Sequence, residues 1–150
     1  MLGVLRDPGD TSSPAGAAPP QPTLRDLPAL LDEARSSGTR VSATVDDAVS
    51  AAPDTVGRHA YRVVQEALTN ARRHAPGQPV SVVVDVLDGP ALRVRVDNPT
   101  AAPRTTDDGA PGGHGLRGLA ERARLVGGTF TAGRDVDGTH VVEAVLPWTA

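Results

Sequence analysis

The chain contains no lysine, no cysteine and no isoleucine, and among its 150 residues only Tyr61, Phe130 and Trp148 are aromatic. Without cysteine there is no disulfide framework, no thiolate metal site and no cysteine nucleophile. Without lysine there is no Walker-A loop, no Schiff base and no kinase-type strand lysine. All 15 basic residues are arginine; set against 18 acidic residues they give a formal charge of −3, which argues against a nucleic-acid partner. No run of about 18 apolar residues occurs, so no segment is expected to contact or span a membrane. The opening stretch Met1–Arg6 is too short to read as a signal peptide. These absences leave a single cytoplasmic domain whose core is built from Ala, Val and Leu, pieces that suit helices lying on a sheet.

Residues 7–22 hold five prolines and two glycines and are expected to form a flexible linker. Residues 23–150 then form the domain. Thr23 is placed to cap a helix from Leu24 to about Ser36, which Gly38 ends. Residues 40–45 alternate as a short strand. The longest helical pattern runs from Asp54 to about Ala75 and stops at Pro76-Gly77. The period then switches to two: strands over 80–86 and 92–96 form a hairpin about Asp88-Gly89-Pro90. A long loop covers 98–113, a helix 116–126, and a final hairpin pairs 129–133 with 139–146. The order α β α β β α β β predicts an α+β, two-layer sandwich, with helices on one face of a mixed, mostly antiparallel sheet.

On a helical wheel, Val56, Ala60, Val63, Val64, Ala67, Leu68 and Ala71 share one broad face of the 54–75 helix. His59, Arg62, Glu66, Asn70 and Arg73 form a narrow stripe beside it. Glu66 and Asn70 are i,i+4 neighbours. A carboxamide oxygen is a neutral hard ligand, suited to a Mg2+ ion that keeps waters and shares phosphates. A neighbouring carboxylate can hold one of those waters or accept a proton. Arg73 and His74 can then face phosphate oxygens. Taken alone, the stripe also reads as the wet edge of an amphipathic helix.

Residues 113–118, GHGLRG, fit G-x-G-x-x-G, and Asp135 follows at a distance close to the dinucleotide fingerprint. That fingerprint requires a strand directly before it and a parallel βαβ unit around it. Here a long loop precedes it and a hairpin follows, so the Rossmann reading is rejected. Glycines opening a helix still let backbone N–H groups approach a phosphate. Asp97, at the end of a strand, can accept from an adenine amino group or simply form a turn. Thr139, opening the last strand, can donate to a phosphate or fill an edge.

The ordered set of motifs resembles the ATP-binding catalytic domain of NarL/DesK-like sensor histidine kinases, the Bergerat fold shared with gyrase and Hsp90. Residues 65–75, QEALTNARRHA, are similar to the family's N box; 113–122, GHGLRGLAER, to its G2 box; and Gly127-Gly128 with 138–147 to its closing hairpin. The likeness covers roughly 22–148. It implies Mg2+ at Asn70, with Glu66 as the catalytic residue that positions water or polarises the acceptor. Arg73 and His74 would lie near the phosphates, and Asp97 would bond adenine as the acidic residue of the G1 box. Gly113, Gly115, Leu116 and Thr139 would complete the nucleotide site, and 98–112 would be the ATP lid. The cofactors implied are ATP and Mg2+. The partners implied are the dimerisation and phosphoacceptor helices of a sensor kinase and, indirectly, a response regulator.

Two departures stand out. Pro99 and Ala101 replace the glycines that usually follow the G1 aspartate. None of His59, His74, His114 or His140 is followed by an acidic residue, as a phosphoacceptor histidine would be. The expectation is therefore a phosphotransferase domain that does not autophosphorylate alone, with Met1–Arg6 the end of a dimerisation helix. A nucleotide-gated binding module and an anti-sigma-factor-like serine kinase of the same fold are the alternatives.

Overall fold

The computed structural model describes residues 20–99 and 114–149. The expectations for residues 1–19 and for most of the 98–113 loop, Gly113 included, lie outside these. The chain runs α1 (Leu27–Ser36), β1 (Val41–Val45), α2 (Asp54–His74), β2 (Val80–Leu87), β3 (Ala91–Pro99), α3 (His114–Leu125), β4 (Thr129–Arg134) and β5 (Thr139–Pro147). The five strands form one sheet in the order β1-β2-β3-β5-β4. The β1–β2 pair is parallel, with α2 in the crossover between them, and the other pairs are antiparallel. Fold class and element order agree with the sequence reading.

Three local features differ from it. The first helix is split: Thr23 caps a 3-10 turn over Leu24–Asp26, and α1 begins only at Leu27. The Thr23 hydroxyl accepts from the Arg25 N–H at 3.2 Å, and the Asp26 carboxylate accepts from the Thr23 N–H at 2.9 Å. Pro28 therefore falls in the first turn of α1, where its missing N–H costs nothing. A second 3-10 turn, Asp47–Ala51, capped by Asp46, was not anticipated. Finally, β3 extends to Pro99. Asn98 and Pro99 belong to the sheet, opposite His140 and Thr139 of β5, rather than to the loop.

The core lies between sheet and helices. Val80, Val82 and Val84 of β2, Leu92, Val94 and Val96 of β3, and Val142, Ala144 and Leu146 of β5 are buried on one face of the sheet. Leu27 and Leu31 of α1, Ala60, Val63, Val64, Ala67 and Ala71 of α2, and Leu116, Leu119 and Ala123 of α3 close over them. The opposite sheet face carries ion pairs. Arg93 chelates Asp85 on the neighbouring strand, with 3.0 and 2.6 Å bonds, and Arg95 chelates Asp97. Alternation along β2, β3 and β5 thus turns the buried residues to the helices, while the open face carries the ion pairs among half-buried Val83, Val141 and Val145.

Candidate functional site

Helix α2 carries the expected stripe, and its most informative member is Asn70. The side chain is 4% exposed, and neither its carbonyl oxygen nor its amide nitrogen has a hydrogen-bond partner among the described residues. An unsatisfied buried amide costs about 1–3 kcal/mol, a cost the rest of the fold carries. One turn earlier, the half-buried Glu66 carboxylate lies against Gly115 at the start of α3. A Cβ added to Gly115 would overlap that carboxylate. Glycine at 115 therefore makes room for Glu66, and the carboxylate sits at the positive end of a helix, where negative charge is favoured.

Contacts further along set the direction of the two helices. His59 of α2 is lowered in pKa chiefly by burial; the backbone of Leu119 partly offsets this, and Arg122 and Arg62 add to the lowering. Glu66 meets residue 115 while His59 meets residues 119 and 122, so α3 runs antiparallel to α2 along the stripe. Arg73 and His74 close α2 and are exposed. His74 contributes, after burial and Arg134, to holding the His140 imidazole below its usual range. The end of α2 thus lies near the start of β5.

The strand-end residues sort by face. Leu92, Val94 and Val96 face the helices, and Asn98, 4% exposed, continues that series. His140 is its direct cross-strand partner, in step with Val142 and Ala144. Asp97 points the other way, into the ion pair with Arg95 on the open face. The sequence reading assigned Asp97 to adenine; in the structure it lies on the opposite face of the sheet from the helices, because a side chain one residue along a strand leaves by the other face. The residue that shares the helix-facing side is Asn98. Alternation in residues 92–98 carried that signal, and the carboxylate's fit to an amino group obscured it.

Thr139 falls on the open-face register of β5, opposite Pro99, and its N–H donates to the Asp135 carboxylate at 3.0 Å, within the β4–β5 turn. Leu116 is fully buried and belongs to the core. Asn70, Glu66 and Gly115 therefore come together; Asn98, His140 and His74 gather at the same end of the fold; Asp97, Thr139 and Leu116 do not face that space. No helix among the described residues is long and apolar enough to cross a membrane.

No family model matches the sequence, and no curated protein matches it. Solved structures do. The blue-light activated histidine kinase EL346 of Erythrobacter litoralis superposes with a TM-score of 0.64 at 23% identity, over 84% of this chain and 42% of that one. The Acinetobacter baumannii histidine kinase AdeS gives 0.60 at 15% identity, over 84% and 62%. The mycobacterial sensor histidine kinase MprB gives 0.55 at 16%, over 82% and 93%. The chain thus spans less than two thirds of the first two. Its α+β sandwich, with α2 crossing between the parallel strands β1 and β2, is the fold of histidine kinase catalytic domains.

Proposed function

We propose that this chain is the Mg-ATP-binding part of a two-component sensor histidine kinase, delivering the γ-phosphoryl group to a histidine on a separate dimerisation helix. The observation that carries the reading is the buried Asn70 amide with both polar atoms unpartnered among the described residues, aligned on α2 with Glu66. A polar group kept buried at such cost is accounted for when a ligand satisfies it. Among the described residues no cluster of three or more His, Asp or Glu side chains could hold a metal. A cation at Asn70 would therefore take most of its shell from water and phosphates, as Mg2+ does. When bound, Mg2+ would supply charge neutralisation on the phosphates.

The chain's own groups do the rest. Asn70 Oδ1 offers one neutral ligand, and Glu66 is placed to hold a metal-bound water or to accept a proton from the attacking imidazole. Arg73 and His74, exposed at the end of α2, supply cationic contacts to phosphate. Asn98 replaces Asp97 as the residue proposed for the adenine edge. Its carboxamide can accept from the amino group and donate to a ring nitrogen, which a carboxylate cannot.

Calorimetric titration with Mg-ATP tests this. Asn70→Ala is expected to weaken binding at least about tenfold, a loss of about 1.4 kcal/mol, while the variant unfolds at equal or higher temperature because an unsatisfied amide has gone. Asn98→Ala is expected to weaken binding by a similar factor, and Asp97→Ala to leave it within about twofold. Wild-type affinity in Asn70→Ala would remove the metal assignment. Loss at Asp97 with none at Asn98 would restore the aspartate to the base.

A further inference from the structure

The groove between α2 and α3 has a second end. Eleven residues before Asn70, about 16 Å along the helix axis, a cavity of about 140 Å³ is lined by Arg58, His59 and Arg62 of α2 and Arg122 of α3, together with Gln21, Thr55 and Leu119. Among the described residues no carboxylate lines it. Arg25, Arg35, Arg93 and Arg95 each pair with an acidic side chain. Arg58, Arg62 and Arg122, like Arg40, Arg72, Arg73, Arg117 and Arg124, have no ion pair among the described residues; what sets these three apart is that they line one space together. Arg58 and Arg62 are also i,i+4 neighbours, a like-charge spacing that costs a helix a few tenths of a kcal/mol. In a chain with more acids than bases, three unneutralised guanidinium groups have been gathered around one small space. The same space holds a fourth polar group in want of a partner: His59 Nε2 is buried and makes no hydrogen bond among the described residues.

From this convergence we infer that the cavity is an anion site, distinct from the Asn70 end, that takes a tetrahedral oxyanion of the phosphate class. Guanidinium forks match the paired oxygens of such an ion, and the volume suits one such group rather than a nucleotide. His59 gives the site a proton linkage. Burial disfavours its cationic form, a bond to the Leu119 backbone partly offsets this, and the charges of Arg122 and Arg62 add to the lowering. Arg58 lies on the same wall, so among the described residues the charged groups that line the space with the ring, from α2 and from α3, are all positive. An oxyanion reverses that field; the imidazole then takes up a proton, and Nε2 becomes a donor to the ligand. Binding therefore strengthens as pH falls.

The test is calorimetry on the full chain in chloride buffer with sulfate, whose charge is constant over the range used, and then with inorganic phosphate and phenyl phosphate. Saturable one-site binding is expected. Arg62→Gln and Arg122→Gln should each weaken it about tenfold or more, while Arg73→Gln, at the far end of α2, changes it less than about twofold. Sulfate should bind more tightly at about pH 6 than at about pH 8, and His59→Gln should remove that difference. Phenyl phosphate binding as well as phosphate would assign the site to a phosphorylated ligand, and its exclusion would assign the site to the free ion. Unsaturable heats, or equal losses for Arg62→Gln and Arg73→Gln, would mean an adventitious ion only and overturn the proposal. The same variants titrated with Mg-ATP separate this site from the Asn70 end: Arg122→Gln should leave nucleotide binding intact.

Discussion

Burial holds the imidazoles of His59 and His140 below the ordinary histidine value of about 6.5 in the folded chain. Unfolded, both rings take up a proton as pH falls through that value; folded, they resist until lower pH. Between the two values the unfolded state binds more protons, so their contribution to stability is complete above about pH 6.5 and declines below it. The urea midpoint of the wild type is expected to be lower at about pH 5.5 than at about pH 7.5. Replacing both histidines by glutamine should shrink that gap, and an unchanged gap would mean that other groups carry it. Of the residues singled out, Asn70 was legible because a wheel of the 54–75 helix sets it beside Glu66. The face of Asp97 was equally legible from strand parity, yet side-chain chemistry argued for it and geometry for Asn98. His140 was noticed only for the valine that follows it. Its place opposite Asn98 needed the β3–β5 register, which residue spacing does not contain.

Among the elements, α3 and the β4–β5 hairpin are joined by a turn that tolerates almost no added bulk. The Gly127 backbone sits at φ +82, and Gly128 donates its N–H to the Ala123 carbonyl at 2.8 Å, closing the helix. A Cβ on Gly128 would strike the Val145 carbonyl of β5 and approach Pro147 Cδ at 3.2 Å. Backbone cannot swing aside as a side chain can, so Gly128→Ala is expected to destabilise by about 2–3 kcal/mol. Gly118, inside α3, has nothing within 4 Å of an added Cβ. Gly118→Ala should therefore stabilise by about 0.5–1 kcal/mol, through the lower helix cost of alanine. Urea denaturation of the two variants checks both signs at once. The sequence signalled the Gly127-Gly128 stop, but not that the second glycine also makes space for a strand distant in the chain. The split at Leu27 was readable in outline, since Pro28 fits only a first turn. The 3-10 turn at Asp47–Ala51 carries no periodic apolar signal and so escaped.

At the scale of the molecule, the order of elements and the placing of helices on one sheet face followed from the switch between periods of 3.6 and two. The strand order did not, because nothing local in residues 41–45 announces a parallel partner beyond a long helix. With a histidine kinase fold and no histidine followed by an acidic residue, the chain is expected to bind Mg-ATP without labelling itself. Incubation with γ-labelled ATP should leave it unlabelled, and adding a cognate dimerisation-helix fragment should place the label on that fragment. Label on the isolated chain would refute the division of roles. The antiparallel seating of α3 on α2 has one more consequence. Both ends of the groove share the same two walls, so any group that slides or tilts one helix against the other acts on both ends together. Where that happens the two ligands are linked, and whatever factor one imposes on its neighbour's affinity it must receive in return.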